Sequence, residues 1–374
     1  MKGLFFLSYF SYFLPYTLMI PWLTSLGFSQ VQRSWMFAAS ALAAMIGQIL
    51  SGFLCDRWKT LRKPYLFTLI GLVVCGWRLY ASNSYEGPLL WAGLFGAVFR
   101  VNMGILDSWA LELDPSGNLR YGVIRGYGAL GSILGSIGAS IISVRLGIQD
   151  IAGFVLLAGS VTLVFALRQP EGKGLKTKQN FQWSDVKALL KLKGYWRMIL
   201  ILWVIHFMSN ADILTVIDKM TALGANSQLI SIKWVLQSLC ELPLFLISSW
   251  LLKRWSARRL LQFSLAMYCL RLGLTSFAST PEMIVFISGL QLVTFPLLQI
   301  SAKILIDRQV PASLRATGQQ LALGIYSGCS MMLAPLVFGG LTTVFSYDAT
   351  LMITGLLGII PALLLAGKQE AEAI

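Results

Sequence analysis

Eight ionisable side chains lie inside stretches that are otherwise apolar: Arg78, Arg100, Arg125, Lys233 and Arg271, with Asp107, Asp212 and Glu241. A charge at the centre of a bilayer costs about 2.5–3.5 kcal/mol, so such residues persist where they pair, line a watery cavity or do work. Asp107 and Arg125 flank a polar turn at Pro115-Ser116-Gly117, at similar depth on two adjacent helices. Arg100, seven residues before Asp107, shares its helical face. The group reads as a solute-binding arginine held by a carboxylate, or as an ion pair that fixes helix packing. Glu241 and Lys233, eight residues apart, share a second face, with Pro243 loosening the helix beside them. Glu241 is the most deeply placed carboxylate and suits a group that gains and loses a proton, or a solute ligand; a paired structural charge is the alternative. Lys233, nearer a helix end, can also extend its ammonium to the interface. A third group is polar: His206, Asn210 and Asp212 in one stretch, Gln291 and Gln299 in another. These residues either contact a solute or bond a neighbouring helix.

Other chemistry is excluded. His206 is the one histidine, and the five cysteines (Cys55, Cys75, Cys240, Cys269, Cys329) show no metal-ligand spacing. No nucleophile–base pair is present, so no enzyme, metal or cofactor is expected. The glycines 126, 128, 131, 135 and 138 include a GxxxG spacing that suits close helix packing, and no strand precedes them to make a nucleotide loop. The aromatics of the first stretch (Phe5, Phe6, Tyr9, Phe10, Tyr12, Phe13, Tyr16) serve packing, with one or two free to stack on a solute.

The elements that hold these groups must be membrane helices. Of 374 residues, 56% are hydrophobic and 12% charged, against about 45–50% and about 25% in soluble domains. The mean hydropathy is +0.70. A spanning helix needs about 20 apolar residues. Twelve such runs are expected, at 3–25, 34–55, 64–81, 87–111, 121–144, 149–168, 197–217, 229–251, 260–279, 281–303, 317–340 and 347–367. The polar stretch 169–196 divides them into six-helix halves at 1–168 and 197–374, and its part from Trp183 to Leu192 is amphipathic enough to lie on a membrane surface. With the N-terminus inside, 22 of the 30 Lys and Arg fall on the cytoplasmic side and three (Arg33, Arg145, Lys219) outside. That bias places both termini in the cytoplasm of a cell-membrane protein. It also accounts for the net charge of +14 without nucleic acid as a partner. The halves echo each other, with Asp56-Arg57-Trp58-Lys59 after the second run and Lys253-Arg254-Trp255-Ser256 after the eighth. Parallel six-helix repeats are a pattern of rocking transporters with the site at the repeat interface.

Gly52-Phe53-Leu54-Cys55-Asp56-Arg57, followed by Lys59, Arg62 and Lys63, resembles the loop motif between helices two and three of the major facilitator superfamily. The resemblance implies a conformational latch at Gly52, Asp56 and Arg57. Within that superfamily the chain is similar to the lactose-permease-like group, and especially to its phenylpropionate-permease branch. Asp107-Ser108-Trp109-Ala110 and Tyr121-Gly122-Val123-Ile124-Arg125-Gly126-Tyr127-Gly128 resemble that branch's aspartate and arginine segments. Cys240-Glu241-Leu242 is similar to the group's glutamate in helix eight, Arg271 to its arginine in helix nine, and Arg315-Ala316-Thr317 to the entrance of helix eleven. The chain departs from the galactoside pattern at Ser132, Leu244, Gln291 and Thr294, where the permease carries its stacking tryptophan, an asparagine, a histidine and a glutamate.

The resemblance implies a twelve-helix secondary transporter, functional as a monomer. The expectation is proton-coupled symport of a small organic solute: a saccharide, a nucleoside or an aromatic carboxylate. Arg125 would contact the solute, with Asp107 holding it and Arg100, His206, Asn210, Gln291 and Arg271 nearby, while Glu241, or failing it Asp107, would carry the proton. An exporter of the same fold and a non-transporting membrane sensor are the rivals.

Overall fold

A computed structural model describes residues 1–58, 60–82, 86–112, 121–171, 189, 191–311 and 315–366. The described residues form helices and no strand. The helices fall into twelve consecutive segments, each at an expected run. The first six are α1 (Lys2–Ser25), α2 (Gln30–Trp58), α3 (Arg62–Ala81), α4 (Gly87–Glu112), α5 (Tyr121–Arg145) and α6 (Ile151–Leu167). The last six begin with α7 (Lys193–Ala222) and α8 (Ser227–Leu246, continued by Ser248–Arg254). They end with α9 (Ala257–Phe277), α10 (Pro281–Asp307), α11 (Arg315–Leu323 to Ser330–Val344) and α12 (Tyr347–Ala366). Nine of the described segments are long and apolar enough to cross a membrane, so this is a multi-pass membrane protein. Most of the expected surface helix Trp183–Leu192 lies outside the described residues.

The helix starts follow local chemistry. Asn226, Ser256, Thr280 and Ser346 each accept a backbone N–H of the first turn, of Leu229, Arg259, Met283 and Ala349 in turn, satisfying donors the helix itself leaves unpaired. At the opposite pole, Arg197 and Arg258 donate to the carbonyls of Leu364 and Leu365 at the end of α12, where the helix dipole favours cations.

Small residues decide the packing. A Cβ on Gly131 would sit 2.1 Å from the Phe6 carbonyl oxygen, and one on Gly135 would sit 2.7 Å from that of Phe10. The GxxxG stretch of α5 therefore brings its backbone against α1. The first and last six helices meet along two seams, α5 against α8 and α2 against α11. Their links gather toward the end that carries the α1–α2 turn. Arg33 Nη1 lies 2.5 Å from Asp218 Oδ1, with both side chains almost fully buried; Ser143 donates to Ser227 at 3.3 Å; Tyr16 meets Trp234 at a centroid distance of 5.8 Å.

This corrects one expectation. Arg33 and Lys219 lie outside the expected runs 34–55 and 197–217, yet the helices run through them. Lys219 is buried, donates to the carbonyls of Thr275 (2.7 Å) and Ser276 (3.0 Å) at the end of α9, and pairs with Asp348 at 2.7 Å. Paired charges no longer need water, so α2 and α7 extend beyond the purely apolar runs.

Three helices of the last six contain a 3₁₀ or π turn. α7 tightens to a 3₁₀ turn at Asn210–Asp212, α10 does so at Gly289–Val293, and α11 widens to a π turn at Gly324–Cys329. Irregular backbone survives at membrane depth where protein or water covers it, and π turns concentrate at functional positions. The first two turns carry Asp212 and Gln291.

Candidate functional site

Asp212 is the hub. Its Oδ2 accepts from Arg271 Nη2 and, at 3.0 Å, from Gln237 Nε2. Lys233 Nζ lies 3.8 Å from its Oδ1 and donates to its backbone carbonyl at 3.2 Å. Arg271 reaches onward through Nη1 to Gln291 Oε1. Because a guanidinium only donates, Gln291 must turn its oxygen to Arg271 and its NH2 elsewhere. That NH2 donates to Glu241 Oε1 at 2.7 Å. One hydrogen-bonded chain thus runs Lys233–Asp212–Arg271–Gln291–Glu241 across α8, α7, α9 and α10.

Lys233, Arg271 and Gln291 are buried, at 0%, 3% and 8% exposure, whereas the Asp212 side chain keeps 18%. Two cations and two carboxylates leave the chain near neutrality, which is what a low-dielectric interior requires. Adding one proton to Asp212 or Glu241 makes it net positive; bringing in an anion restores the balance. The arrangement can therefore link a protonation to the arrival of a negatively polarised group.

Aromatic rings continue the chain toward the first six helices. Lys233 Nζ sits 3.8 Å from the Trp234 ring centroid, and Trp234 meets Tyr16 across the seam. Tyr16 stacks on Tyr12 at 5.1 Å, and Tyr12 packs against Phe95 and Phe99. Arg100 stands within electrostatic reach of the Tyr12 and Tyr16 hydroxyls.

The expected residues divide. Arg271, Gln291 and Glu241 come together, and Lys233 joins them through Asp212 rather than by pairing with Glu241: the 3₁₀ turn of α7 delivers a carboxylate to Lys233, and Gln291 engages Glu241. His206 and Asn210 face α11 instead. The His206 ring lies 4.8 Å from that of Tyr326, and Asn210 donates to the His206 carbonyl at 2.8 Å and to Ser330 Oγ at 3.4 Å. Asp107 is half-buried on α4. The side chains of Arg125 and Asp56 lie outside the described residues, Gly52 falls within α2, and Arg57 is exposed. Arg78 is exposed in the last turn of α3, over the Trp77 ring.

Sequence reasoning missed Asp212 as the hub, together with Gln237 and Trp234. Lys233, Gln237 and Glu241 repeat every four residues on α8, a polar stripe in an apolar helix that could have marked Gln237. Nothing local marked Trp234.

Known proteins resemble the chain over most of its length. The chain is 22% identical over 371 residues to xanthosine permease of Escherichia coli (strain K12), covering 90% of this chain and 87% of that protein. It is 22% identical over 310 residues to the "Probable 3-phenylpropionic acid transporter" of the same organism, covering 79% of each. The crystal structure of the nucleoside transporter NupG superposes with a TM-score of 0.80 at 16% identity, over 98% of this chain and 97% of that one. Residues 1–350 match the profile of the MFS_1 like family, and the chain belongs to that family of membrane transporters for small solutes.

Proposed function

We propose that this transporter is a proton-coupled symporter of a small organic solute, working by alternating access of residues 1–168 against 197–374 around a central site. The Lys233–Asp212–Arg271–Gln291–Glu241 chain carries the reading, because its charge balance changes with one proton. Glu241 exchanges the proton, and its bond to Gln291 ties that exchange to Arg271 and Asp212. Protonation removes the charge assistance of the Gln291–Glu241 bond and loosens Gln291 and Arg271, so each protonation state favours a different arrangement of the four helices. A ligand shifts such an equilibrium by its differential affinity for the two states.

The coupling ion is the proton and no other cofactor is assigned. The inside-positive bias of Lys and Arg puts both termini in the cytoplasm of the cell membrane, and the α1–α2 end, closed by Arg33–Asp218, on the outer face. The relatives are named for a nucleoside and an aryl acid, and the aromatic face at Tyr16 and Trp234 suits a ring-bearing solute of either kind; a saccharide has less to stack on than in the galactoside pattern, given Ser132.

Proteoliposomes with an imposed pH gradient, inside alkaline, supply the test. Wild type should accumulate xanthosine or 3-phenylpropionate against its gradient, and Glu241→Gln should retain solute exchange but lose accumulation. Uphill uptake by that variant refutes Glu241 as the proton carrier.

A further inference from the structure

We infer that Arg100 reads an anionic group on the substrate, so that the site selects ring-bearing anions, aryl carboxylates or acidic purines, over their neutral counterparts. The inference rests on the central site proposed above and adds its substrate class. It starts from an imbalance between the two faces of that site. Arg271 and Lys233 both answer to Asp212, and Arg33 answers to Asp218. Arg100 has no such answer. It lies on α4, half-buried, and among the described residues its guanidinium makes no ion pair and no hydrogen bond.

Its titratable neighbours are the hydroxyls of Tyr12 and Tyr16, which are neutral and compensate little. An arginine at membrane depth without a carboxylate carries a standing desolvation cost. A partner that arrives and leaves would relieve that cost transiently, and a transported anion is such a partner. Asp107, seven residues on, shares the helical face but does not close on Arg100 as Asp212 closes on Arg271.

The surroundings describe the rest of the partner. Tyr16 stands beside this arginine, Phe99 precedes it on α4, and Tyr16 and Trp234, both half-buried, meet across the seam between the two sets of helices. Planar rings offer stacking area to another planar ring. Lys233 lies over the Trp234 ring, so a cation helps hold that ring in place. A flat solute resting against Tyr16 and Trp234 would extend its charged edge to Arg100 on the first six helices and its other edge to the Asp212 chain on the last six. Such a solute touches both sets at once, as rocking transport demands. Guanidinium and carboxylate match in a planar, bidentate geometry that ammonium does not reproduce, so Arg100→Lys should only partly replace the native residue.

The experiment measures equilibrium binding to purified protein in detergent, without any gradient, for two matched pairs: 3-phenylpropionate with 3-phenylpropanamide, and xanthosine, whose purine ring is acidic, with inosine, whose ring is a far weaker acid. Wild type should bind the anionic member of at least one pair tenfold or more tightly than its neutral partner. Arg100→Gln should lose tenfold or more of the anion affinity, the scale of one charge-assisted hydrogen bond, while binding of the neutral partner changes less than about threefold. Arg100→Lys should fall between. The neutral partner reports that the variant is folded and its aromatic face intact. Equal binding of both members by wild type, equal losses of both in Arg100→Gln, or no loss of either overturns the inference. A failure of proton-driven accumulation with these binding results intact would instead strike at the coupling mechanism alone.

Discussion

Breaking the Arg33–Asp218 link tests whether one end of the bundle is closed by a specific ion pair. The two side chains are 4% and 2% exposed and 2.5 Å apart, on α2 and α7, so the pair joins the first six helices to the last six. Arg33 Nε and Asp218 Oδ2 have no further hydrogen-bond partner among the described residues. Removing one member of such a pair leaves an uncompensated buried charge, at a cost of about 3–5 kcal/mol. Under the rocking proposed above, only the arrangement closed at this end makes this contact, so the cost falls on that state. At about 1.4 kcal/mol per factor of ten, the closed-to-open ratio drops by roughly two to three orders of magnitude. Replacing both members with leucine removes both charges together, and because the pair is incompletely hydrogen-bonded the double variant should be near wild type or more stable. The readout is disulfide formation between Ser143→Cys and Ser227→Cys, whose native hydroxyls stand 3.3 Å apart across the same end. Arg33→Leu or Asp218→Leu should slow cross-linking at least tenfold, and the double variant should restore it. Unchanged cross-linking in the single variants, or a double variant as slow as the singles, refutes the reasoning.

Other outcomes follow from the same contacts. Asp212→Asn leaves Arg271 and Lys233 facing each other without their shared anion; it should cost about 3–5 kcal/mol in thermal stability, and Asp212→Asn with Lys233→Met should recover part of it. Gly131→Leu has no room, since even a Cβ would stand 2.1 Å from the Phe6 carbonyl; α1 must move off α5, and size-exclusion profiles should show loss of folded protein. His206→Phe should leave transport within about threefold of wild type, since the ring packs on Tyr326 and its buried Nε2 has no hydrogen-bond partner among the described residues to lose; a collapse of transport would return the histidine to the site.

What the sequence by itself determined was the membrane class, the number and order of the helices, and the short list of polar residues that their depth makes expensive. Bilayer thickness imposes a length on every apolar run, and solvation penalties make each intramembrane charge conspicuous, so both are written in one dimension. The Gly131–Gly135 contact was equally legible, because its cause is the local absence of side chains. Partner choice was not. Lys233 and Glu241 share a face of α8, yet the lysine meets Asp212 and the glutamate meets Gln291, because the 3₁₀ turns in α7 and α10 bring side chains from other helices into the space between them. Trp234 against Tyr16 and Arg33 against Asp218 join positions 218 and 185 residues apart in the chain. Which of several compensating charges a buried ion takes depends on distances of a few ångströms between helices, and only the packing of all twelve supplies those.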